Sequence, residues 1–214
     1  MALDGAWAIA WMRGSAAVIS ERRVELITLD RDIGDGDHGE NLDRGFSAVL
    51  GKLDGQPADA TPSDILKLAA TTLISTVGGA SGPLYGTALL KASIAVAGKA
   101  ELDADAVVAL LTAARDGIVL RGKATTGDKT MVDAWTPAVD AAADAAAAGE
   151  TPGGVLAAAA TAAQAGAVST EPLVARKGRA SYLGERAIGH RDPGAQSTAY
   201  LLGAASAAAS GETA

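Results

Sequence analysis

Cysteine is absent from the 214-residue chain, which removes disulfides and thiolate-held metals together. Aromatic residues make up only 3% of it, and histidine occurs twice. The β-branched and aromatic residues that favour strands are sparse, and no stretch alternates convincingly with period two. Basic clusters are missing too: 25 acidic against 18 basic residues give a net charge of −7, and no Lys/Arg stripe offers itself to a nucleic acid. No uncharged run reaches the ~20 residues that a membrane span needs. The N-terminus, "MALDGAWAIAWMRGSAAVIS", mildly resembles a signal sequence. However, Asp4 precedes the apolar run, no basic segment leads it and Arg13 interrupts it. The expectation is a soluble cytoplasmic protein with neither a membrane nor a nucleic acid among its partners.

What is abundant is aliphatic, with hydrophobic residues at 49% and alanine foremost. Alanine is the strongest helix former, so the fold class expected is all-α. The length suits one large domain or two small ones with a sizeable core, and residues 1–214 are read as a single domain. In "DILKLAATTLIST", Ile65, Leu68, Ala69, Thr72, Leu73 and Thr76 recur on one helical face. Thr61 and Pro62 mark its start with a cap and a proline at the first helical position, and Thr151-Pro152 repeats that signal. Eight helical segments follow, near 3–28, 39–53, 62–77, 83–99, 103–121, 129–148, 152–168 and 195–210. The first is expected to break near Gly14, and Pro137 to kink the sixth.

Four linkers are rich in glycine and functional side chains: 30–39, 78–86, 122–130 and 177–194. The connections near 54–61, 100–103 and 149–152 are short and bland. In an up-and-down bundle successive loops alternate between the two ends. The rich loops follow segments one, three, five and seven, so all four share one end and converge on one site.

The first rich loop, "LDRDIGDGDHGEN", contains "GDGDHG", a match to the dinucleotide fingerprint G-x-G-x-x-G. That fingerprint requires a preceding strand, whereas "ERRVELITLD" reads as a helix, and Asp35 and Asp37 would repel a phosphate. An EF-hand fails as well: counted from Asp30, the sixth position is Asp35 rather than glycine and the twelfth is Asn41 rather than glutamate. "GKATTGDKT" narrowly misses a P-loop, because Asp128 stands where the lysine belongs and Lys129 falls one place late.

Mg²⁺ is the reading that suits the first loop. It prefers hard oxygen ligands and joins one or two carboxylates to substrate phosphates. Asp30, Asp35 and Asp37 supply such oxygens, and a bound cation would turn their repulsion of phosphate into attraction. The plain alternative is a solvated acidic turn. "GGAS" leads into a helix at Ser81, whose unpaired N–H groups suit an anion, although Ser81 is equally an ordinary cap. Arg179 and Arg186 can neutralise phosphate, and Arg186 is as readily a surface charge. The turn Asp192-Pro193-Gly194 can approach a nucleotide closely. His38 and His190 both lie in rich loops, with acid/base, phospho-acceptor and nucleotide-contact roles open. Met131 and Trp135 read as core, and Met131 also as a wall for adenine.

"LDRDIGDGDHGEN", "GGASGPLYGT", "GDKTMVDAW" and "KGRASYLGERAIGHRDPGAQS", in this order, resemble DhaL, the nucleotide-binding subunit family of bacterial dihydroxyacetone kinases. The resemblance covers essentially the whole chain. It implies a barrel of eight antiparallel helices with a nucleotide, ADP or ATP, and two Mg²⁺ ions at one end. It makes Asp30, Asp35 and Asp37 the Mg²⁺ ligands. His38, Gly39 and Asn41 would contact the phosphates or ions, and Ala80 and Ser81 would donate from the second loop. Gly122, Met131, Arg179, Asp192, Pro193 and Gly194 would complete the nucleotide site, while the side chain of Glu40 stays outside it. Two partners are implied: a DhaK-like subunit that holds dihydroxyacetone, and a DhaM-like phosphotransferase subunit that recharges ADP to ATP. A free-standing chain of this length favours that phosphoenolpyruvate-dependent arrangement over the fused, ATP-dependent one. Some family members also bind a transcriptional regulator, so a non-enzymatic interaction module that binds such a regulator is a rival reading of a different class. The rival readings are an ATP-dependent kinase subunit for another small ketose or sugar, and the nucleotide domain of a fatty-acid-kinase-like system, whose "DGDTG" differs from "DGDHG" here.

Overall fold

Short polar caps decide where the helices begin. Thr61 accepts the N–H of Asp64, whose carboxylate accepts back from Thr61, a reciprocal capping box in front of Pro62. Asp4, Asp103, Thr151 and Asp192 cap helices in the same manner. The computed structural model describes residues 2–211. Its helices are α1 (Gly5–Glu21), α2 (Arg23–Ile33), α3 (His38–Leu53), α4 (Pro62–Thr76), α5 (Ser81–Ala95), α6 (Ala104–Gly122), α7 (Val132–Ala147), α8 (Pro152–Ser169) and α9 (Pro193–Ser210), with a 3-10 stretch, Arg179–Ala187, before α9. No strand occurs among the described residues, so the all-α expectation holds.

The first segment breaks at Arg22, where the backbone leaves helical geometry, and not at Gly14. Trp11, Met12 and Ser15 around that glycine are buried, and packing of this kind outweighs the ~1 kcal/mol that a mid-helix glycine costs. α2 runs on to Ile33, so Asp30 sits on the last turn of a helix rather than in a loop. α7 begins later than expected, at Val132, and continues through Pro137.

Helices α1 and α3 to α9 close into a ring: each packs on the next in sequence, and α9 returns to α1. The weld between the chain's two ends is indole chemistry. Trp7 and Trp11 stack with centroids 5.3 Å apart, and their Nε1–H groups donate to the carbonyls of Ala205 and Leu201 on α9. One core cluster fills the ring, mainly with Ala, Leu, Val and Ile. No helix is long and apolar enough to cross a membrane among the described residues.

Pro137 and Gly166 explain each other. Proline at 137 has no N–H for the carbonyl of Asp133 four residues earlier. That carbonyl instead lies against α8 at Gly166, where a Cβ would meet it at 2.4 Å and Ala134 Cα at 2.9 Å. Gly51 on α3 has nothing within 4 Å of its Cβ position. Gly166→Ala is therefore expected to lower stability by ~1–3 kcal/mol through overpacking. Gly51→Ala is expected to raise it by ~0.5–1 kcal/mol through the entropy of the unfolded chain. Urea unfolding of the two variants beside the parent checks both signs.

Candidate functional site

The acidic loop is built by α2 reaching forward to start α3. α2 stops at Gly34, where a Cβ would lie 2.2 Å from Asp30 Oδ1, so only glycine lets the carboxylate fold back there. Gly36 then takes a left-handed φ of +75°. Asp30 Oδ2 accepts the backbone N–H groups of Asp37 (2.8 Å) and His38 (3.1 Å), so α3 is capped by the preceding helix and not by its own residue. This curl brings carboxylate oxygens of Asp30, Asp35 and Asp37 within 4.8 Å of one another. Burial raises the pKa of Asp30, and the neighbouring charges of Asp35 and Asp37 push the same way against the two backbone donors. Arg179 sits 3.0 Å from Asp35 and offsets part of that repulsion.

α5 faces this cluster with its N-terminus. Ala80 provides no side-chain cap, which leaves the first N–H groups of α5 without a local partner. Ser81, the first helical residue, hydrogen-bonds His38 Nδ1 at 3.0 Å, and Ser197 of α9 bonds His38 Nε2 at 2.9 Å. Burial lowers the His38 pKa to about 4, so this imidazole is neutral. Ser197 in turn meets the hydroxyl of Tyr85 at 2.6 Å.

The remaining two loops are tied together by Lys129. This residue holds a left-handed φ of +61° and is 1% exposed. Its ammonium donates to the carbonyls of Thr170 (2.7 Å) and His190, with that of Glu171 at 3.4 Å. Asp192 N–H donates to Thr170 Oγ1, and Arg191 spans Glu171 and Gln196, which closes the 170–192 segment at its base. Ile33, Ala175, Ala180 and Ala187 form a small second apolar cluster that seats this segment on the end of α2. Asp192 caps α9, and burial raises its pKa to about 7, with Asp133 and Asp30 adding to the rise and Lys129 opposing it.

A cavity of about 460 Å³ lies between these loops. Twelve of the residues singled out from the sequence line it: Asp30, Asp35, Asp37, His38, Ala80, Ser81, Gly122, Met131, Arg179, Asp192, Pro193 and Gly194. Gly39 and Asn41 do not. A Cβ at Gly39 would strike the carbonyl of Arg23, so this glycine lets α3 pack on α2. The Asn41 side chain accepts from Arg44 and lies against Gly78 and Gly79, bracing the second loop from behind. Glu40 pairs with Arg23 on the surface, Arg186 is exposed away from the lining, and His190 pairs with Asp32. Sequence reasoning missed Arg121, Lys129 and Thr130 in the wall, and Tyr85 and Ser197 behind it. Lys129 reads from the sequence only as a P-loop mismatch, and nothing in that pattern places its ammonium among backbone carbonyls.

Residues 32–207 match the family described as the DAK2 domain. The chain belongs to this family. It is 42% identical over 202 residues to the PEP-dependent dihydroxyacetone kinase, ADP-binding subunit DhaL, of Escherichia coli, covering 94% of this chain and 96% of that protein. The corresponding DhaL of the first such kinase in Listeria innocua is 43% identical over 203 residues, with the same coverage of both chains. Among solved structures, the dihydroxyacetone kinase from C. freundii in complex with AMP-PNP and Mg²⁺ superposes with a TM-score of 0.69 at 27% identity. That match takes in 95% of this chain and 34% of the larger one.

In the DAK2-domain pocket the titration of Asp192 links stability to pH with a definite sign. The folded chain holds the Asp192 proton more tightly than the unfolded chain does, which stabilises the fold below about pH 4 and ceases to do so as pH rises through 7. Asp192→Asn keeps a capping oxygen and removes the titration. Relative to the parent, ligand-free Asp192→Asn is expected to gain ~1–3 kcal/mol between pH 5 and 8, less than the full shift implies because the carboxyl borders a wet cavity. Urea midpoints measured across that range check it; parallel curves for the two proteins would refute it.

Proposed function

We propose that the chain is the nucleotide-binding subunit of a dihydroxyacetone kinase, a single DAK2-type domain that holds ADP or ATP with two Mg²⁺ ions. The observation that carries this reading is the convergence of three carboxylates, an uncapped helix N-terminus and Arg179 on one cavity. An all-oxygen donor set in which like charges crowd together fits Mg²⁺ on its own chemistry. Asp30, Asp35 and Asp37 would hold the ions, with Asp30 contributing the oxygen that α3 does not use. When bound, Mg²⁺ supplies positive charge against the phosphates and fixes their orientation.

The rest falls to the chain's own groups. The first N–H groups of α5 and the Ser81 hydroxyl donate to phosphate oxygens. His38 and the backbone of Ala80 frame the same place, and Arg179 exchanges its contact with Asp35 for the phosphate charge as the site fills. Leu84, Ile118 and Met131 give an apolar wall for the adenine, with Gly122 and the Asp192-Pro193-Gly194 turn admitting the nucleotide closely. Gly39 and Asn41 act from behind, by seating α3 and the second loop. The γ-phosphoryl group passes to dihydroxyacetone held on a DhaK-like subunit. A DhaM-like phosphotransferase subunit recharges the retained ADP in the cytoplasm. Transfer then depends on positioning and charge, and the chain needs no nucleophile of its own.

Two experiments test this. Denaturing the purified protein identifies its nucleotide: stoichiometric ADP that survives gel filtration supports the retained-cofactor reading. An empty site with fast ATP exchange favours a free-ATP kinase for a small ketose. Asp35→Ala is expected to abolish ADP retention and lower phosphoryl transfer in the complete system at least ~100-fold, with the helical circular dichroism unchanged. A variant that still copurifies with ADP and turns over sinks the metal assignment.

A further inference from the structure

Behind the phosphate end of the cavity lies a chain of polar side chains of which two, Tyr85 and Ser197, have no role in the reading above. It runs from Tyr85 on α5 through Ser197 on α9 and His38 on α3 to Ser81, the one member at the cavity wall whose hydroxyl the nucleotide reading uses. Tyr85 is 1% exposed and Ser197 fully buried, so their protons have only each other and their neighbours to serve.

Counting those protons gives the chain a direction. The Thr198 hydroxyl lies 2.9 Å from the Gly194 carbonyl and 3.0 Å from the Tyr85 hydroxyl; given to the nearer carbonyl, which as the fourth residue back along α9 also accepts the Thr198 N–H, its proton fills the second lone pair. The Tyr85 hydroxyl is 3.1 Å from that carbonyl and 2.6 Å from Ser197 Oγ, and its proton goes to the serine. Ser197 then has one proton left, with the saturated Gly194 carbonyl at 3.1 Å or His38 Nε2 at 2.9 Å to receive it. It goes to the ring. A neutral imidazole that accepts at Nε2 carries its hydrogen on Nδ1, and that hydrogen is donated to Ser81 Oγ. The Ser81 proton is thereby turned out toward the cavity. With the opposite polarity, the serine would present lone pairs to an anion.

We propose that Tyr85 and Ser197 are positioning residues that lock His38 as its Nδ1–H tautomer and so present the Ser81 hydroxyl as a donor to the anion in the cavity. The tautomer rests on the Thr198 and Tyr85 protons going to Gly194 and Ser197, the shorter of their contacts; its consequence for binding rests on the nucleotide reading.

Nitrogen NMR on ligand-free, ¹⁵N-histidine-labelled protein reads the tautomer directly, and with two histidines in the chain a His190→Gln variant assigns the signals. Wild type is expected to show a protonated-type shift at Nδ1 and an unprotonated-type shift at Nε2. Tyr85→Phe, which keeps the ring in place, is expected to move His38 toward a mixture of tautomers and to weaken ADP binding ~10-fold, or ~1.4 kcal/mol. In a Ser81→Ala background the same Tyr85→Phe change is expected to cost nothing further, because its effect passes through that hydroxyl. Ser197→Thr keeps the hydroxyl and is expected to preserve the wild-type spectrum, whereas Ser197→Ala does not. An Nε2–H signal in wild type overturns the proposal, as does a Tyr85→Phe loss of equal size with and without Ser81. If wild type shows the Nδ1–H tautomer but binds no nucleoside diphosphate, the nucleotide reading fails and the polarity of the chain stands.

Discussion

Asp30 has two tasks at once, and the arrangement of the whole cavity end follows from them. One oxygen of its carboxylate accepts the N–H groups of Asp37 and His38 at the start of α3, and the same side chain brings an oxygen within 4.8 Å of the carboxylates of Asp35 and Asp37. The hydrogen bonds fix where α3 starts relative to α2, and therefore where His38 enters the cavity. The crowding is unfavourable by itself: burial and like charge both oppose ionisation of Asp30. A fold keeps such a cluster only where it is compensated, and the local compensation is Arg179 at the start of the 3-10 stretch. The strain in charge is thus localised at the point where the ligand charges would arrive.

The ring of helices makes this possible by dividing labour between its ends. At the far end, α4, α6 and α8 begin with Thr61, Asp103 and Thr151, each capping its own helix. At the cavity end, α3 takes its cap from α2 and α5 has none. The kink at Arg22 belongs to the same economy, because it lets the first segment leave the ring as α2 and bring Asp30 to the loops. Lys129 then supplies the stiffness that glycine-rich loops lack. Three carbonyls around one buried ammonium hold the 170–192 segment at its base, and the desolvation that lowers the lysine's pKa is opposed by Asp192, Glu171 and Asp133.

Much of this was legible in the chain itself. Seven of the eight segments expected from the period of the apolar residues are single helices, while the first is two, α1 and α2; the convergence of four loops followed from counting them, with no knowledge of any contact. What escaped was whatever depends on burial rather than on residue type. Asp30 reads as a loop residue because its neighbours are glycine and aspartate, yet α2 carries it. Gly39 reads as part of a phosphate loop and is a packing glycine under Arg23. Lys129 reads as a misplaced P-loop lysine and is a clamp, since nothing in its local sequence says that the ammonium points inward to backbone carbonyls. The break at Arg22 rather than Gly14 has the same origin: propensity favours the glycine, and the stacked tryptophans beside it overrule that preference.

The same buried network limits what chemistry the chain can perform alone. A general base must reach its proton in a form free to accept it. His38 has both ring nitrogens engaged by serines inside the wall, and His190 is turned to Asp32 outside the lining. Neither imidazole is placed to take a proton from an alcohol entering the cavity. The groups that do face the cavity hold and neutralise: carboxylates for cations, N–H and hydroxyl groups for anions, an arginine between them. Holding and neutralising charge is what the donor side of a phosphoryl transfer requires, since that transfer depends on positioning and electrostatics.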